Sequence, residues 1–363
     1  MTDFGTFFLP GPTEVRAEVL AAMSGAMISH RGPVFDALFA RIQAGLKPVF
    51  RTARPVYVLA SSGTGMMEAA IRNAPSGPIL CLVNGAFSER FANVARACDR
   101  DVRVLETPMG TVHDHAAVDA ALGGGRFAAM TATHSETSTG ALSDVRALAR
   151  LAHAHGTMIL VDSVSGLAGA RLETDAWQLD FVLTGSQKAL AIPPGLAFGV
   201  ASEAYVLQAQ KSPARGRYFD VVELEEFTLR NSTPATPALS LLYALDVQLP
   251  TIVAEGMEAR WARHEAMRLL TERWAEGRPG TGVLATKGSR SPTVSVITLP
   301  GGVTGDAVVN AVAERGITVS GGYGTLRERT FRIGHMGDHT VTTIQRCLDA
   351  CDDALVQLTA TPR

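Results

Sequence analysis

Short apolar runs that stop on polar residues alternate with helix-length segments from Val56 to Val200, and this alternation constrains the fold most. The runs Val56–Ala60, Ile79–Val83, Val102–Glu106, Phe127–Thr133, Ile159–Val161, Phe181–Leu183 and Leu196–Val200 read as strands. Between them Met66–Asn73, Ser88–Ala97, Ala116–Leu122 and Val145–His155 read as helices. Continuous apolar strands separated by helices of this size predict a mostly parallel sheet covered on both faces. In such sheets ligands sit outside the carboxyl ends of the strands, so the turns there carry the candidate site. A second unit follows the turn Ser232-Thr233-Pro234-Ala235-Thr236-Pro237. Pro237 is compatible with the first turn of a helix through Leu241–Leu245, and an amphipathic helix over Met257–Ala275 ends at Gly277. Beyond it Thr293–Leu299, Asp306–Arg315, Ile317–Ser320, Phe331–Ile333 and Thr342–Leu358 read strand, helix, strand, strand, helix. The expectation is a large α/β domain over residues 1–250 and a small α+β domain over residues 251–363.

Two of the strand ends carry an acid and an amine. Ile159–Val161 runs into Asp162, and Val182-Leu183-Thr184 leads through Gly185-Ser186-Gln187 to Lys188, 26 positions later (188 − 162). That pair is what a pyridoxal-phosphate enzyme needs: the amine condenses with the aldehyde, and the carboxylate pairs with the pyridinium nitrogen. On these residues alone, a capping aspartate and a surface lysine fit equally well. Ser62-Gly63-Thr64, between a strand and a helix, is a candidate phosphate cup, because helix amino termini present free N–H groups to anions. It is not a Walker loop, since no Gly-Lys-Ser/Thr follows. Phe87 lies just past the next strand, where its ring can either cover a pyridine ring or staple the following helix. The polar run His134–Gly140 offers hydroxyls to a ligand or a cap to the next helix. In Phe331-Arg332-Ile333-Gly334, strand alternation puts Arg332 opposite its apolar neighbours, where a guanidinium suits a carboxylate or an edge salt bridge.

Composition narrows the function classes. A net charge of −2 and a pI near 6.5 give no basic footprint for nucleic acid and no affinity for an anionic membrane. No apolar run reaches the roughly 20 residues of a membrane-spanning helix, and no basic-then-apolar leader opens the chain. Cys81, Cys98, Cys347 and Cys351 are too few for a disulfide framework at this length. Cys347 and Cys351 share one helix face without a third metal ligand, which fits buried small hydrophobes and no metal site. A soluble cytoplasmic enzyme is expected.

Taken together, these segments resemble the class V, fold-type I pyridoxal-phosphate aminotransferases of the alanine–glyoxylate / serine–pyruvate group. The likeness runs nearly end to end. It includes Leu9-Pro10-Gly11-Pro12-Thr13, Ser29-His30-Arg31, Ser62-Gly63-Thr64 with Glu68, and Asn84-Gly85-Ala86-Phe87. It continues through Glu136-Thr137-Ser138-Thr139-Gly140, Val161-Asp162-Ser163-Val164, Gly185-Ser186-Gln187-Lys188-Ala189-Leu190, Pro193-Pro194-Gly195 and Phe331-Arg332-Ile333-Gly334. The resemblance implies that Lys188 is the Schiff-base lysine and proton carrier, and that Asp162 holds the pyridinium nitrogen. It assigns the phosphate to Ser62, Gly63, Thr64 and Gln187, ring stacking to Phe87, and the ring face or phenolic oxygen to Thr137. It makes Arg332 the binder of the substrate carboxylate, with Arg31 available for a second acid group. It also implies a homodimer whose partner reaches the phosphate through Thr236, with Thr233 nearby. The chain departs from the family where Phe87 replaces a frequent tryptophan, Thr137 a frequent serine and Thr233 a common tyrosine. Stacking and the hydroxyl survive the first two changes; the third weakens the contact from Thr233.

The implied reaction moves an amino group from alanine or serine to glyoxylate or pyruvate by a ping-pong route. Within the same fold, a ureidoglycine–glyoxylate aminotransferase or a lyase would share most of these residues. A cysteine desulfurase would need a cysteine on a mobile active-site loop, and none of the four sits on an obvious one. A non-catalytic relative would have no use for Lys188, Asp162 and Arg332 together.

Overall fold

The computed structural model describes residues 4–212 and 215–360. Seven strands form the main sheet: β1 (Tyr57–Ala60), β2 (Ile79–Val83), β3 (Val102–Glu106), β4 (Ala129–Thr133), β5 (Met158–Asp162), β6 (Phe181–Gly185) and β7 (Leu196–Ala201). Their order is β1-β7-β6-β5-β4-β2-β3. All pairs among β3, β2, β4, β5 and β6 are parallel, and β7 alone runs against both of its neighbours. The expected sheet is therefore present, with one reversed strand.

Why these strands lie inside is plain from their composition. β2, β4, β6 and β7 are buried at every position, as strands covered on both faces must be. Alternate residues feed two cores. Val58, Leu80, Met130, Ile159, Val182 and Phe198 face one layer of helices. Tyr57, Cys81, Ala129, Leu160, Phe181 and Ala197 face the other. Of the two edge strands, β3 is open to solvent, with Arg103 and Glu106 exposed, whereas β1 is buried up to Ala60.

The sheet aims its polar turns at one edge. β1, β2, β4, β5 and β6 all end there, and β7 begins there, since Ala60 pairs with Leu196 and Gly185 with Ala197. Ser61–Thr64, Asn84–Phe87, the short hairpin of Ser135–Glu136 with Ala141–Leu142, Asp162–Val164 and Ser186–Lys188 emerge side by side.

A four-stranded antiparallel sheet follows, of β8 (Gly282–Val283), β9 (Val294–Thr298), β10 (Ser320–Gly321) and β11 (Thr330–Gly334), in the order β8-β9-β11-β10. Its core joins Phe331 and Ile333 to Val308, Ile344, Cys347, Leu348 and Cys351. The cysteine pair is thus packing. The strand expected over Ile317–Ser320 shrinks to Ser320–Gly321, because Thr318 bonds instead to the amino-terminal arm: Phe8 N donates to its carbonyl at 2.8 Å. Phe8 itself is fully buried in this second core.

Two helices join the sheets. Leu239–Glu255 passes through residue 250 and stops at Gly256 (φ 78°), where Met257–Glu276 begins. Pro237 lies just ahead of the first of these helices, not in its first turn. The second has a buried face that is more than apolar: Arg260, His264, Thr271 and Glu272 are buried beside Met257, Trp261, Met267 and Ala275.

Candidate active site

Lys188 leaves the turn after β6 and its side chain is buried, its Nζ donating to the carbonyl of Pro10. The arm that supplies Pro10 is pinned on both sides. Thr13 N donates to the Gln187 carbonyl at 3.0 Å, and Gly334 N donates to the Phe8 carbonyl at 2.8 Å. Gly11 (φ 111°) is required here: a Cβ would fall on the Lys188 side chain itself. Burial, with Arg332 and Arg90 adding to it, pushes the Lys188 amine down to about 8. A neutral amine is the form that attacks a carbonyl and accepts a proton.

Asp162 closes β5 beside it. One carboxylate oxygen accepts from Val164 N at 2.8 Å, and among the described residues no donor meets the other. Burial first, then Glu136, raise its carboxyl to about 7 against the pull of the Val164 N–H, Lys188 and Arg90. In register with Asp162 on the neighbouring strand is Thr133, whose buried hydroxyl finds no partner among the described residues.

Arg332 enters from the second sheet, opposite Ser320 on β10 and Val296 on β9. Nε donates to the Gly321 carbonyl (2.9 Å), Nη2 to Ser320 Oγ (2.9 Å) and Nη1 to the Thr137 carbonyl (3.5 Å). The group is 9% exposed. No carboxylate among the described residues lies within ion-pair reach of it, so a buried cation awaits an anion.

The remaining predicted residues divide. Ser62 caps the helix Gly63–Asn73, its Oγ accepting from Gly65 N at 3.4 Å, and the first-turn N–H groups have no partner inside the helix. Gly63 is buried against the segment after Asp162, and a Cβ there would come within 2.5 Å of Val164 Cγ2. Thr64 and Gln187 are half-buried at the same edge, and Phe87 opens the helix Ala86–Ala97. Thr137 is buried with its hydroxyl on Ser165 Oγ. Two residues are not joined to this cluster within the chain. Arg31 is on an exposed loop with Nη1 on the His30 carbonyl (2.9 Å). Thr236 is exposed beside Ala60 and Tyr218, while Thr233 Oγ1 turns back to the Ala235 carbonyl (2.8 Å).

Residues 10–336 match aminotransferase class-V. The chain belongs to that family. A protein named the small subunit of a soluble hydrogenase, from a Synechococcus strain, is 34% identical over 99% of this chain and 94% of its own. The L-aspartate–glyoxylate aminotransferase of Paracoccus denitrificans is 32% identical, over 94% of this chain and 88% of its own. The crystal structure of alanine–glyoxylate aminotransferase from Nostoc sp. superposes with a TM-score of 0.90 at 30% identity, covering 99% and 96% of the two chains. The protein is a fold-type I, pyridoxal-phosphate-dependent aminotransferase.

The residues present fit that cofactor. An acid with an oxygen lacking a donor, an amine held near neutrality, and a capped helix start with free N–H groups match its ring nitrogen, aldehyde and phosphate respectively.

Several of the aminotransferase's contacts escaped the sequence reading. Glu136, fully buried, accepts from Ser88 N (2.9 Å), Phe87 N (3.1 Å), Ser138 N (3.0 Å) and Ser138 Oγ (2.6 Å). One carboxylate thereby caps the helix that carries Phe87 and shapes the loop that carries Thr137. Its only signal in sequence is an acid among small polar residues. Tyr323, on the glycine-rich turn before β11, and Arg90, one turn along the Phe87 helix, meet over the same cleft at 3.4 Å. An aromatic set between glycines was the available hint.

Proposed function

We propose that this aminotransferase moves the amino group of a small amino acid, alanine or serine, to glyoxylate or pyruvate by a ping-pong route. The carrying observation is Arg332: a buried guanidinium without a carboxylate partner, entering from the second sheet toward the strand ends that carry Lys188 and Asp162. The alanine–glyoxylate enzyme of Nostoc, similar over nearly the whole chain, supports the choice of substrates.

In this reading Arg332 takes the α-carboxylate bidentately and fixes which way the substrate lies. When bound, pyridoxal phosphate supplies an aldehyde carbon for the amino group and a pyridine ring that draws electrons from Cα. Asp162 would keep a proton on the ring nitrogen, Phe87 and Thr137 would hold the ring, and Ser62, Gly63, Thr64 and Gln187 would hold the phosphate. Lys188 Nζ, deprotonated above about pH 8, would take the proton from Cα and give it to the former aldehyde carbon, on the far side of the amino nitrogen.

The site is completed by a second copy of the chain, which contributes Thr236 to the phosphate and Arg31 to the substrate. Their exposure in a single chain supports this. The large unit that holds the cofactor gives way to the small one near residue 250, and the enzyme works in the cytoplasm. Free thiols at all four cysteines support that location, and no helix among the described residues can cross a membrane.

The test is spectroscopic. The purified protein should absorb at roughly 420 nm, shift to about 330 nm with L-alanine, and return with glyoxylate, as two separable half-reactions require. A band that neither alanine nor serine alters would move the donor elsewhere within the family.

A further inference from the structure

Tyr323 packs against the Arg332 guanidinium. Its ring centroid is 5.5 Å from that of Phe87, tilted by 46°. The Arg332 guanidinium carbon lies 5.5 Å from the Tyr323 ring centre. Its hydroxyl accepts from Arg90 Nη2 at 3.4 Å, and Arg90 in turn covers Phe87 at 4.9 Å. The residue thus reaches from the turn between β10 and β11 to the first turn of the Phe87 helix, with 37% of its surface still open.

We propose that Tyr323 is the residue that sets which side chains the substrate can carry. The inference rests on Arg332 holding the α-carboxylate. A substrate whose carboxylate is seated there has its Cα near Tyr323, whose ring contacts both the Arg332 guanidinium and Phe87, the residue assigned to the cofactor ring. A phenol has two side-chain torsions, and three contacts hold this one: the Phe87 ring, the Arg332 guanidinium and the Arg90 N–H. It cannot swing away without giving up all three at once. The space left beside Cα then suits a methyl or a hydroxymethyl group, and a branched or aromatic side chain meets the ring. The ring does the excluding, and the hydroxyl only fixes its angle through Arg90.

Two variants separate these roles. Tyr323→Ala removes the ring, whereas Tyr323→Phe keeps it and loses only the Arg90 bond. With glyoxylate as acceptor, kcat/KM for leucine relative to alanine should rise by roughly tenfold or more in Tyr323→Ala, the scale on which a pocket resolves one or more methylenes. In Tyr323→Phe the ratio should stay within about threefold of the wild type, well inside that scale. A Tyr323→Ala enzyme that turns over alanine with an unchanged ratio overturns the proposal.

A binding measurement keeps this distinct from the assignment of the reaction. Titration calorimetry of the cofactor-free protein with propanoate and 4-methylpentanoate reads carboxylate capture alone. The wild type should prefer propanoate and Tyr323→Ala should lose that preference; equal ratios in both proteins overturn the proposal even if alanine proves not to be the donor. Loss of all binding in Arg332→Ala, with its fold retained, would show that the same seat is being read.

Discussion

The surroundings of Asp162 disfavour its charged form, and the effect on stability has a readable sign. In the cofactor-free protein its carboxyl titrates near 7, against an ordinary value of 3.8. Between those values the folded protein binds the extra proton and the unfolded chain does not. The group's stabilising contribution is therefore complete below about pH 4 and is lost as pH rises through 7. Above 7 the fold carries the full cost of a buried carboxylate, up to about 4 kcal/mol for three pKa units. Asp162→Asn keeps an acceptor for the Val164 N–H and removes the charge. The cofactor-free variant should then melt higher than the wild type at pH 8, with the gap closing toward pH 4. Transamination should fall at least ~100-fold, the scale on which a catalytic electrostatic partner acts. Equal melting at pH 8 would place the Asp162 titration elsewhere. Lys188 runs the other way, since its folded value near 8 lies below the ordinary 10.5. The single-turnover rate with alanine should therefore rise with pH toward a midpoint near 8, and Lys188→Ala should abolish it. At this scale Lys188, Asp162 and Arg332 were legible because each ends or interrupts an apolar run with a charge. Glu136 and Tyr323 were not, because their meaning lies in partners about 50 and over 200 positions away, Ser88 and Phe87 among them.

Elements were legible wherever a short run rich in apolar residues is bounded by turn residues. The predicted Ile79–Val83 and Val102–Glu106 are the observed strands residue for residue. The helix Met257–Glu276 shows the opposite case. Its length could be read from a capping pattern, but its buried face includes an arginine that is 1% exposed, which no apolar period announces. Arg260 donates to the Ala189 carbonyl (2.7 Å), Glu255 (2.7 Å) and Asp338 (3.1 Å). Asp338 also accepts from Arg16 (2.8 Å) and Gln248 (2.9 Å). This one network ties the amino-terminal arm, both joining helices and the segment after β11 to the residue next to Lys188. Ala191, two residues further along that turn, sits at φ 54°, a strained position for a residue with a Cβ. Arg260→Met removes the most buried member of the network but leaves Asp338 with Arg16 and Gln248 and Glu255 with Arg263, and should lower the unfolding free energy by about 1–3 kcal/mol, as loss of one partner of buried polar groups does. Urea denaturation checks this. A loss below about 1 kcal/mol would mean that the network behaves like surface pairs.

For the whole molecule, the question is whether one chain suffices. Exposed apolar side chains gather on the helices and loops around Arg31: Leu20, Met27 and Val34 lie near it in sequence, and Val247 and Val253 lie on the helix packed against Pro33–Phe50. Arg31 itself rises from this region with no acid partner among the described residues. A surface of that kind fits an isologous contact between two copies, which carries each Arg31 to the other copy's cleft. That arrangement and a one-chain site make opposite predictions for mixed assemblies. Lys188→Ala lacks the lysine and should be inactive. Arg31→Ala retains the lysine and, assayed with a dicarboxylate substrate, should lose most of its kcat/KM, because the second acid group that Arg31 takes is no longer held. Dissociating and reassembling the two variants in equal amounts gives about half mixed dimers, each with one site that has both Lys188 and the partner's intact Arg31. Activity should then recover to about a quarter of the wild type, the share of sites so completed. If both residues serve a site within one chain, every mixed dimer contains only defective sites, and reassembly restores nothing above the Arg31→Ala background. The same exchange with Thr236→Ala in place of Arg31→Ala should restore cofactor retention, read from the absorbance near 420 nm after gel filtration. Recovery with one partner and not the other would show which of the two exposed residues crosses the interface.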